Sequence, residues 1–255
     1  MRALNLEEVR MYVNNNIDIF HRRRIELVSS TTLKDLIDKN PYLLKAKNVA
    51  TSAELVDGAL SARLSSSEEE EFGKFLESLA VFVARKTTGG HKSGATGIDL
   101  EFDHKKCHYF ISIKSGPNWG NSSQHKTLDR NLQSAVNVYR QDKGQNTRAD
   151  SVLGICYGKV RTARNKAGYL KLVGQNFWTF ISGNQNLYKE IIEPIGFKAK
   201  EHNDNYYVAL GGLKNKLSAQ FTKEFCREED GLINWDLLVE ATCSNYDLDR
   251  HGFAF

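Results

Sequence analysis

The chain has 255 residues, 40% of them hydrophobic, and can bury a sizeable core as one domain or as one domain with an appended lobe. Its net charge of +4 permits an approach to DNA but is too small to identify a nucleic-acid-binding protein. There is no apolar signal core after Met1, no run long enough to span a bilayer and no CxxC spacing among the 4 cysteines. These absences predict a cytoplasmic protein with no membrane contact, disulfide framework or zinc site.

Residues 1–64 are predicted to form a helical N-terminal region, because their apolar positions recur at near-helical spacing up to an interruption at Pro41. A serine run then leads into four glutamates, and Ser67 and Glu70 have the spacing of a capping box. This pattern predicts that a new helix begins near Ser67 and runs to about Lys86. The glycines after Lys86 end it.

The next two segments predict a β-hairpin that carries a metal site. Side chains alternate between faces along a strand, so Asp99 and Glu101 share one face of the first strand, and Ser112 and Lys114 share one face of the second. Carboxylates that bind Mg²⁺ beside a lysine suit phosphodiester hydrolysis. The metal activates a water, and the ammonium stabilises charge in the transition state. The apolar complement expected on a core comprises Ile98, Leu100, Phe102, Tyr109, Ile111 and Ile113.

This pattern of an acid on one strand and a lysine ending the next resembles the PD-(D/E)xK nucleases, in particular type II restriction endonucleases. The resemblance covers most of the chain and includes the segments 40–48, 64–77, 114–122 and 174–178. It implies that Asp99 is the metal-binding aspartate, that Lys114 is the catalytic lysine and that double-stranded DNA is the substrate. It further implies a prokaryotic, cytoplasmic homodimer that works beside a cognate DNA methyltransferase without forming a stable complex with it.

The acid usually found two residues before the lysine is here Ser112, so an acid from elsewhere is expected to complete the site. The candidates are Glu101 on the first strand, Glu77 on the preceding helix and Asp129 on the following helix. Helical spacing places Glu77 among small residues, which favours Glu77 as the second metal-binding acid. The position of Asp129 is explained more simply by ion pairs with basic side chains on the same helix. The predicted catalytic set is Asp99, Lys114, Glu77 and Ser112, and the predicted metal ligands are Asp99, Glu77 and Glu101.

Two loops are candidate DNA contacts. The first turns sharply after Lys114 and continues into a helix, and its amides and hydroxyls could bond to phosphates, although a structural turn is an equally simple interpretation. The second is a basic loop, bounded by Gly158 and Gly168, between two predicted strands. The alternative interpretation is that this loop is a solvated hairpin tip that does not contact DNA. The predicted DNA-binding residues are Asn118, Asn121, Ser122, Lys126, Arg130, Lys159, Arg161, Arg164 and Lys166.

The predicted fold is an α/β, restriction-endonuclease-like core with a mixed central sheet flanked by helices and with N- and C-terminal helical additions. Residues 1–255 are taken as a single endonuclease domain, with the catalytic core at 65–175. The C-terminal region at 176–255 is left open between recognition and dimerisation. There is no GxxxxGK[ST] motif, which predicts no nucleotide cofactor.

The resulting functional hypothesis is a Mg²⁺-dependent, sequence-specific endonuclease that cuts double-stranded DNA. Two alternatives stay open. A repair or junction nuclease on the same core would recognise DNA shape instead of sequence. A noncatalytic DNA-binding protein would keep the basic loop but would not need Asp99 and Lys114 on convergent faces.

Overall fold

The computed structural model describes residues 1–245 and residue 247. Five strands and ten helices are assigned among these residues. The helices are α1 (Leu6–Ser30), α2 (Leu33–Ile37), α3 (Pro41–Ala46), α4 (Ser52–Thr88), α5 (Ser122–Lys143), α6 (Gln175–Ser182), α7 (Leu187–Glu190), α8 (Ile192–Ile195), α9 (Ala199–Phe225) and α10 (Trp235–Thr242). The strands are β1 (Leu100–His104), β2 (Cys107–Lys114), β3 (Ala149–Ile155), β4 (Ala163–Arg164) and β5 (Leu170–Val173).

The strands form one mixed sheet in the order β1-β2-β3-β5-β4. The β1–β2 hairpin is antiparallel, β2, β3 and β5 run parallel, and the short β4 pairs antiparallel with β5. Helix α5 makes the long crossover that a parallel β2–β3 pair requires. The predicted mixed sheet flanked by helices is confirmed.

The chain divides into two compact units. The first contains residues 1–20 and 70–199 and therefore the whole sheet, and the second contains residues 21–69 with the described residues from 200 onward. The second unit has its own apolar core, in which Leu55, Leu60, Leu217 and Phe221 are almost fully buried. The assignment of residues 1–255 to a single endonuclease domain stays a prediction.

Both faces of the sheet are covered in the first unit. One face packs against α4 through Leu79 and Val83, and the other packs against α5 through Leu132. The alternation of side chains along the two strands of the hairpin follows the predicted pattern. The side chains that pack on the α4 face of the sheet are Leu100, Phe102, Ile111 and Ile113, with Tyr109 partly buried beside them. Ile98 differs, since it joins the cluster around α5.

The prediction that a helix begins near Ser67 is wrong. Helix α4 is continuous from Ser52 to Thr88, so Ser67 lies in its interior. A capping box is a local signal, and here Leu55 and Leu60 bury in one core while Leu79 and Val83 bury in the other. Burial along the whole length outweighs the local start signal because tertiary packing supplies most of the stability of a helix.

Gly154 in β3 allows α6 to approach the sheet closely. A Cβ atom at this position would lie 2.2 Å from a ring carbon of Phe177, whose side chain is fully buried and cannot move aside. We expect Gly154→Ala to lower the free energy of unfolding by about 1–3 kcal/mol, the usual cost of overpacking, as measured by urea denaturation. Gly58→Ala in α4 is the control, because no described atom lies within 4 Å of the added methyl group. Equal stabilities for the two variants would contradict this account.

Candidate active site

Asp99 lies immediately before β1 and is held by the neighbouring strand. Its N–H donates to the carbonyl of Ile111 at 2.9 Å, and its Oδ2 accepts from the N–H of Ile113 at 2.6 Å and from the hydroxyl of Ser112 at 3.2 Å. Ser112 is only 1% exposed, so its hydroxyl has a fixed position. The serine that stands where an acid is usual therefore orients the carboxylate of Asp99.

Lys114 is the last residue of β2, opposite Ile155 of the parallel β3. Its side chain is partly exposed, and its Nζ lies 5.3 Å from the centre of the Trp119 ring, within the range of a cation–π contact. The ring comes from the loop that follows β2. This contact limits the freedom of the ammonium at the end of the strand.

Glu77 of α4 lies close enough to Asp99 and Lys114 for their charges to act on it. Its pKa is raised, first because burial disfavours the ionised carboxylate and second because Asp99 adds a like charge. Lys92 and Lys114 offset part of this rise. The structure thus brings together Glu77, Asp99 and Lys114, three of the four predicted catalytic residues, with Ser112 bonded to Asp99.

Lys92 was not among the predicted site residues. Its Nζ lies 3.6 Å from Oε1 of Glu77, and its side chain is exposed. It belongs to the loop between α4 and Asp99, where a single basic residue beside glycines carries no spacing signal. The proximity of Lys92 to Glu77 is apparent only once the loop is placed against α4.

The other two candidate acids have partners elsewhere. Glu101 lies 3.1 Å from Nε2 of His108 and 3.4 Å from Nε2 of His91. Asp129 lies beside Tyr169, and the pKa of the Tyr169 hydroxyl is raised to about 12 by burial and by the charge of Asp129. The metal-ligand assignment of Glu101 stays a prediction, while Glu77 is the acid whose titration responds to Asp99.

The raised pKa of Glu77 leads to a test of stability. The folded protein holds the Glu77 proton more tightly than the unfolded chain, so the contribution to stability is fully present below the ordinary pKa of glutamate and is lost as pH rises through the raised value. In metal-free buffer, Glu77→Gln should therefore be more stable than the wild type at neutral pH, with the difference shrinking as pH falls. Urea denaturation over this range measures it, and exposed Glu69→Gln is the control. A gain from Glu77→Gln that is independent of pH would contradict the argument.

The donor set fits a hard divalent cation. Among residues 1–245 and 247, no group of three or more His, Cys, Asp or Glu side chains has the arrangement of a protein-only metal cage. Mg²⁺ does not need one, because it keeps several waters and usually takes one or two carboxylates together with a substrate phosphate. Asp99 and Glu77 supply two carboxylates whose mutual repulsion a cation would relieve.

The predicted DNA contacts differ in how the protein already uses them. Asn121 is the N-cap of α5, where its side-chain oxygen accepts from the N–H groups of Ser123 and Gln124. Arg164 forms a bidentate salt bridge with Asp150, with nitrogen–oxygen distances of 2.7 and 3.0 Å. This salt bridge connects the basic loop to β3. Burial alone would raise the pKa of Asp150, but hydrogen bonds from Arg164 and from the Ser151 N–H hold it below its ordinary value. The remaining predicted contacts have exposed side chains: Asn118, Ser122, Lys126, Arg130, Lys159, Arg161 and Lys166.

Comparison with known proteins identifies the family of the chain. The family model for type II restriction endonuclease EcoO109I matches residues 7–203, which include the whole sheet and all of the candidate catalytic residues. A search of curated proteins found no significant match. Within the described residues, no helix is both long enough and apolar enough to cross a membrane. The chain belongs to the EcoO109I family of type II restriction endonucleases, nucleases that act on DNA and generally use divalent metal ions.

Proposed function

We propose that the protein is a Mg²⁺-dependent, site-specific endonuclease that hydrolyses phosphodiester bonds of double-stranded DNA. The observation that supports this proposal is that Asp99 and Lys114 both lie close enough to Glu77 for their charges to act on its pKa. Two carboxylates and a lysine can together hold a hard cation and stabilise the charge that develops on the phosphate. The family match supplies the substrate class.

Each residue has a chemical task in this proposal. Bound Mg²⁺ would supply Lewis acidity toward the scissile phosphate and a more acidic water. Asp99 and Glu77 would hold the cation, and Ser112 fixes the Asp99 carboxylate in one rotamer through its hydroxyl. The ammonium of Lys114 would orient the attacking water and neutralise charge that develops on the phosphorus.

The test is incubation of the purified protein with a long phage DNA, in Mg²⁺ and in chelator, with the products resolved on a gel. Discrete bands that require Mg²⁺ are expected, and sequencing their ends would give the site and the stagger of the cut. A smear would indicate a nonspecific or structure-directed nuclease on the same core. Intact DNA in a retarded band would indicate a noncatalytic DNA-binding protein.

A homodimer is part of the proposal, because a two-fold symmetric enzyme matches the symmetry of a palindromic site. The proposed setting is the cytoplasm of a prokaryote, where a cognate methyltransferase would protect host DNA. No nucleotide cofactor is expected. Sedimentation of the protein with and without a duplex carrying its site would give the oligomeric state.

A scan of the three candidate acids identifies the second metal ligand. We expect Glu77→Gln to lower the cleavage rate by more than about 100-fold, since even changes to groups that only support a metal ligand cost about 10–100-fold. Glu101→Gln and Asp129→Asn should remain within about tenfold of the wild type, because His108 and Tyr169 already engage these acids. Single-turnover cleavage of one duplex measures all three. A deep loss from Glu101→Gln alone would move the second ligand to Glu101.

A further inference from the structure

The ion pair between Lys92 and Glu77 is a contact that the chemistry described above does not use. Nζ of Lys92 lies 3.6 Å from Oε1 of Glu77, and within the part of the chain that the structure describes no other acid lies within ion-pair distance of this ammonium. Glu77 is expected to hold a cation, yet here its charge is opposed by a lysine. The lysine and the cation therefore compete for one carboxylate.

The backbone on the N-terminal side of Lys92 is fixed. The N–H of His91 donates to the carbonyl of Glu101 at 3.1 Å, and the N–H of Glu101 donates to the carbonyl of His91 at 3.0 Å. Gly90 packs so closely that a Cβ atom there would lie 3.1 Å from a side-chain carbon of Leu100. The chain that leads into Lys92 is therefore anchored to β1, which also fixes where the lysine side chain starts.

The side chain of Lys92, in contrast, can change its partner. It is 74% exposed, whereas the side chain of Glu77 is 30% exposed. An ion pair at this exposure is weak, and lysine carries its charge on a flexible four-carbon stem. A stronger competitor for the carboxylate would therefore release the ammonium at little cost.

Glu77 would exchange Lys92 for a divalent cation, because carboxylate oxygens bind a hard dication directly and the dication repels an ammonium. The proposed substrate supplies another anion for the released ammonium. Double-stranded DNA carries one negative charge for about every 1.7 Å of its axis, and lysine is a common partner of its phosphates. The exposed position of Lys92 leaves its ammonium accessible to such a phosphate.

We propose that Lys92 is a phosphate-binding residue that Glu77 holds in the cation-free protein and releases to the DNA backbone when a divalent cation takes the carboxylate. Lys92 then couples cation binding to DNA binding, so that each strengthens the other. The inference rests on the proposed DNA cleavage and adds to it a residue outside the predicted site.

The experiment measures the acetylation rate of Lys92 in full-length protein, by mass spectrometry of its peptides, with and without saturating duplex DNA. In chelator, duplex should not change this rate in the wild type, because Glu77 holds the ammonium. In Glu77→Gln, which removes the competing charge without a cation, duplex should slow acetylation by about fivefold, as expected for one exposed ionic contact. The wild type in Ca²⁺, which also takes oxygen ligands, should show the same protection.

Lys86 in α4 is the matched control for acetylation. It also pairs with a glutamate, since its Nζ lies 2.7 Å from Oε2 of Glu8. Helical periodicity places it on the opposite side of α4 from Glu77. Its acetylation rate should not respond to duplex in chelator, in Ca²⁺ or in Glu77→Gln.

Substitutions of Lys92 add a readout that a purely structural role would not change. In Ca²⁺, Lys92→Gln should reduce the slope of log Kd against log salt concentration by about 0.9, the value for one phosphate contact. Lys92→Arg keeps the positive charge and should keep the slope. Fluorescence anisotropy of a labelled duplex measures both, and a gel confirms that the duplex is intact.

The outcomes separate this inference from the proposed function. If the wild type cuts DNA but duplex protects Lys92 under no condition, or protects it equally in chelator and in Ca²⁺, the release of Lys92 is wrong and the nuclease proposal stands. An unchanged salt slope for Lys92→Gln would show that Lys92 does not bind a phosphate. If the wild type neither cuts nor binds duplex DNA, the proposed function fails and this inference fails with it.

Discussion

Asp99→Asn is expected to abolish DNA cleavage while leaving DNA binding intact. Asparagine keeps an oxygen that can accept from Ser112 and from the N–H of Ile113, so the start of β1 should retain its geometry. It loses the negative charge that a hard cation requires. The single-turnover rate should fall by more than about 100-fold, beyond the loss expected for a group that only supports a ligand.

Two measurements separate loss of the metal site from loss of the fold. The free energy of unfolding should not fall, and the dissociation constant for an uncut duplex should stay within about threefold of the wild type, since ordinary surface contacts are unchanged. Asp103→Asn, an exposed acid of the same hairpin, is the control for activity. Metal-dependent cleavage by Asp99→Asn at the wild-type rate would remove Asp99 from the metal site.

Lys114→Met is the second substitution with a large expected effect. Methionine retains most of the length of the side chain beside Trp119 but carries no charge, so transition-state stabilisation is lost while packing is kept. The single-turnover rate should fall by about 10²–10³-fold, the usual cost of removing one preorganised electrostatic group. Binding of the uncut duplex should change little.

The pH profile gives a readout that a purely structural role of Lys114 would not change. Lys114 lowers the pKa of Glu77, so its removal should raise that pKa further. Any residual cleavage by Lys114→Met should therefore require a higher pH than cleavage by the wild type. Exposed Lys216→Met in α9 is the control. An unshifted profile with a wild-type rate would contradict a catalytic role for Lys114.

The hairpin could be predicted because its information is local. Strand periodicity places Leu100 and Phe102 on one face and Asp99 on the other, and the structure follows this alternation. Helix α5 was predictable for the same reason, since Leu128, Leu132 and Val136 repeat at helical spacing and all are buried.

Other features depend on contacts that the sequence does not display. The start of α4 was mispredicted because a capping signal at Ser67 says nothing about Leu55 and Leu60, whose burial in the core of the second unit extends the helix toward its N-terminus. Lys92 was missed because its approach to Glu77 arises from the course of a loop. The cap role of Asn121 could have been read from its spacing to Gln124, which matches a capping box.

The ion pair between Arg164 and Asp150 also bears on how such an enzyme can change over generations. It anchors the basic loop to β3 at one point, while the carboxylates and the lysine come from residues 77–114, earlier in the chain. If the basic loop contacts DNA as proposed, an exchange of residues 158–168 that preserves Arg164 would alter the side chains presented to DNA, while the proposed catalytic residues Glu77, Asp99 and Lys114 lie outside the exchanged segment. On this proposal we expect the DNA specificity to be able to change through substitution of a short segment, without any change to the proposed catalytic residues.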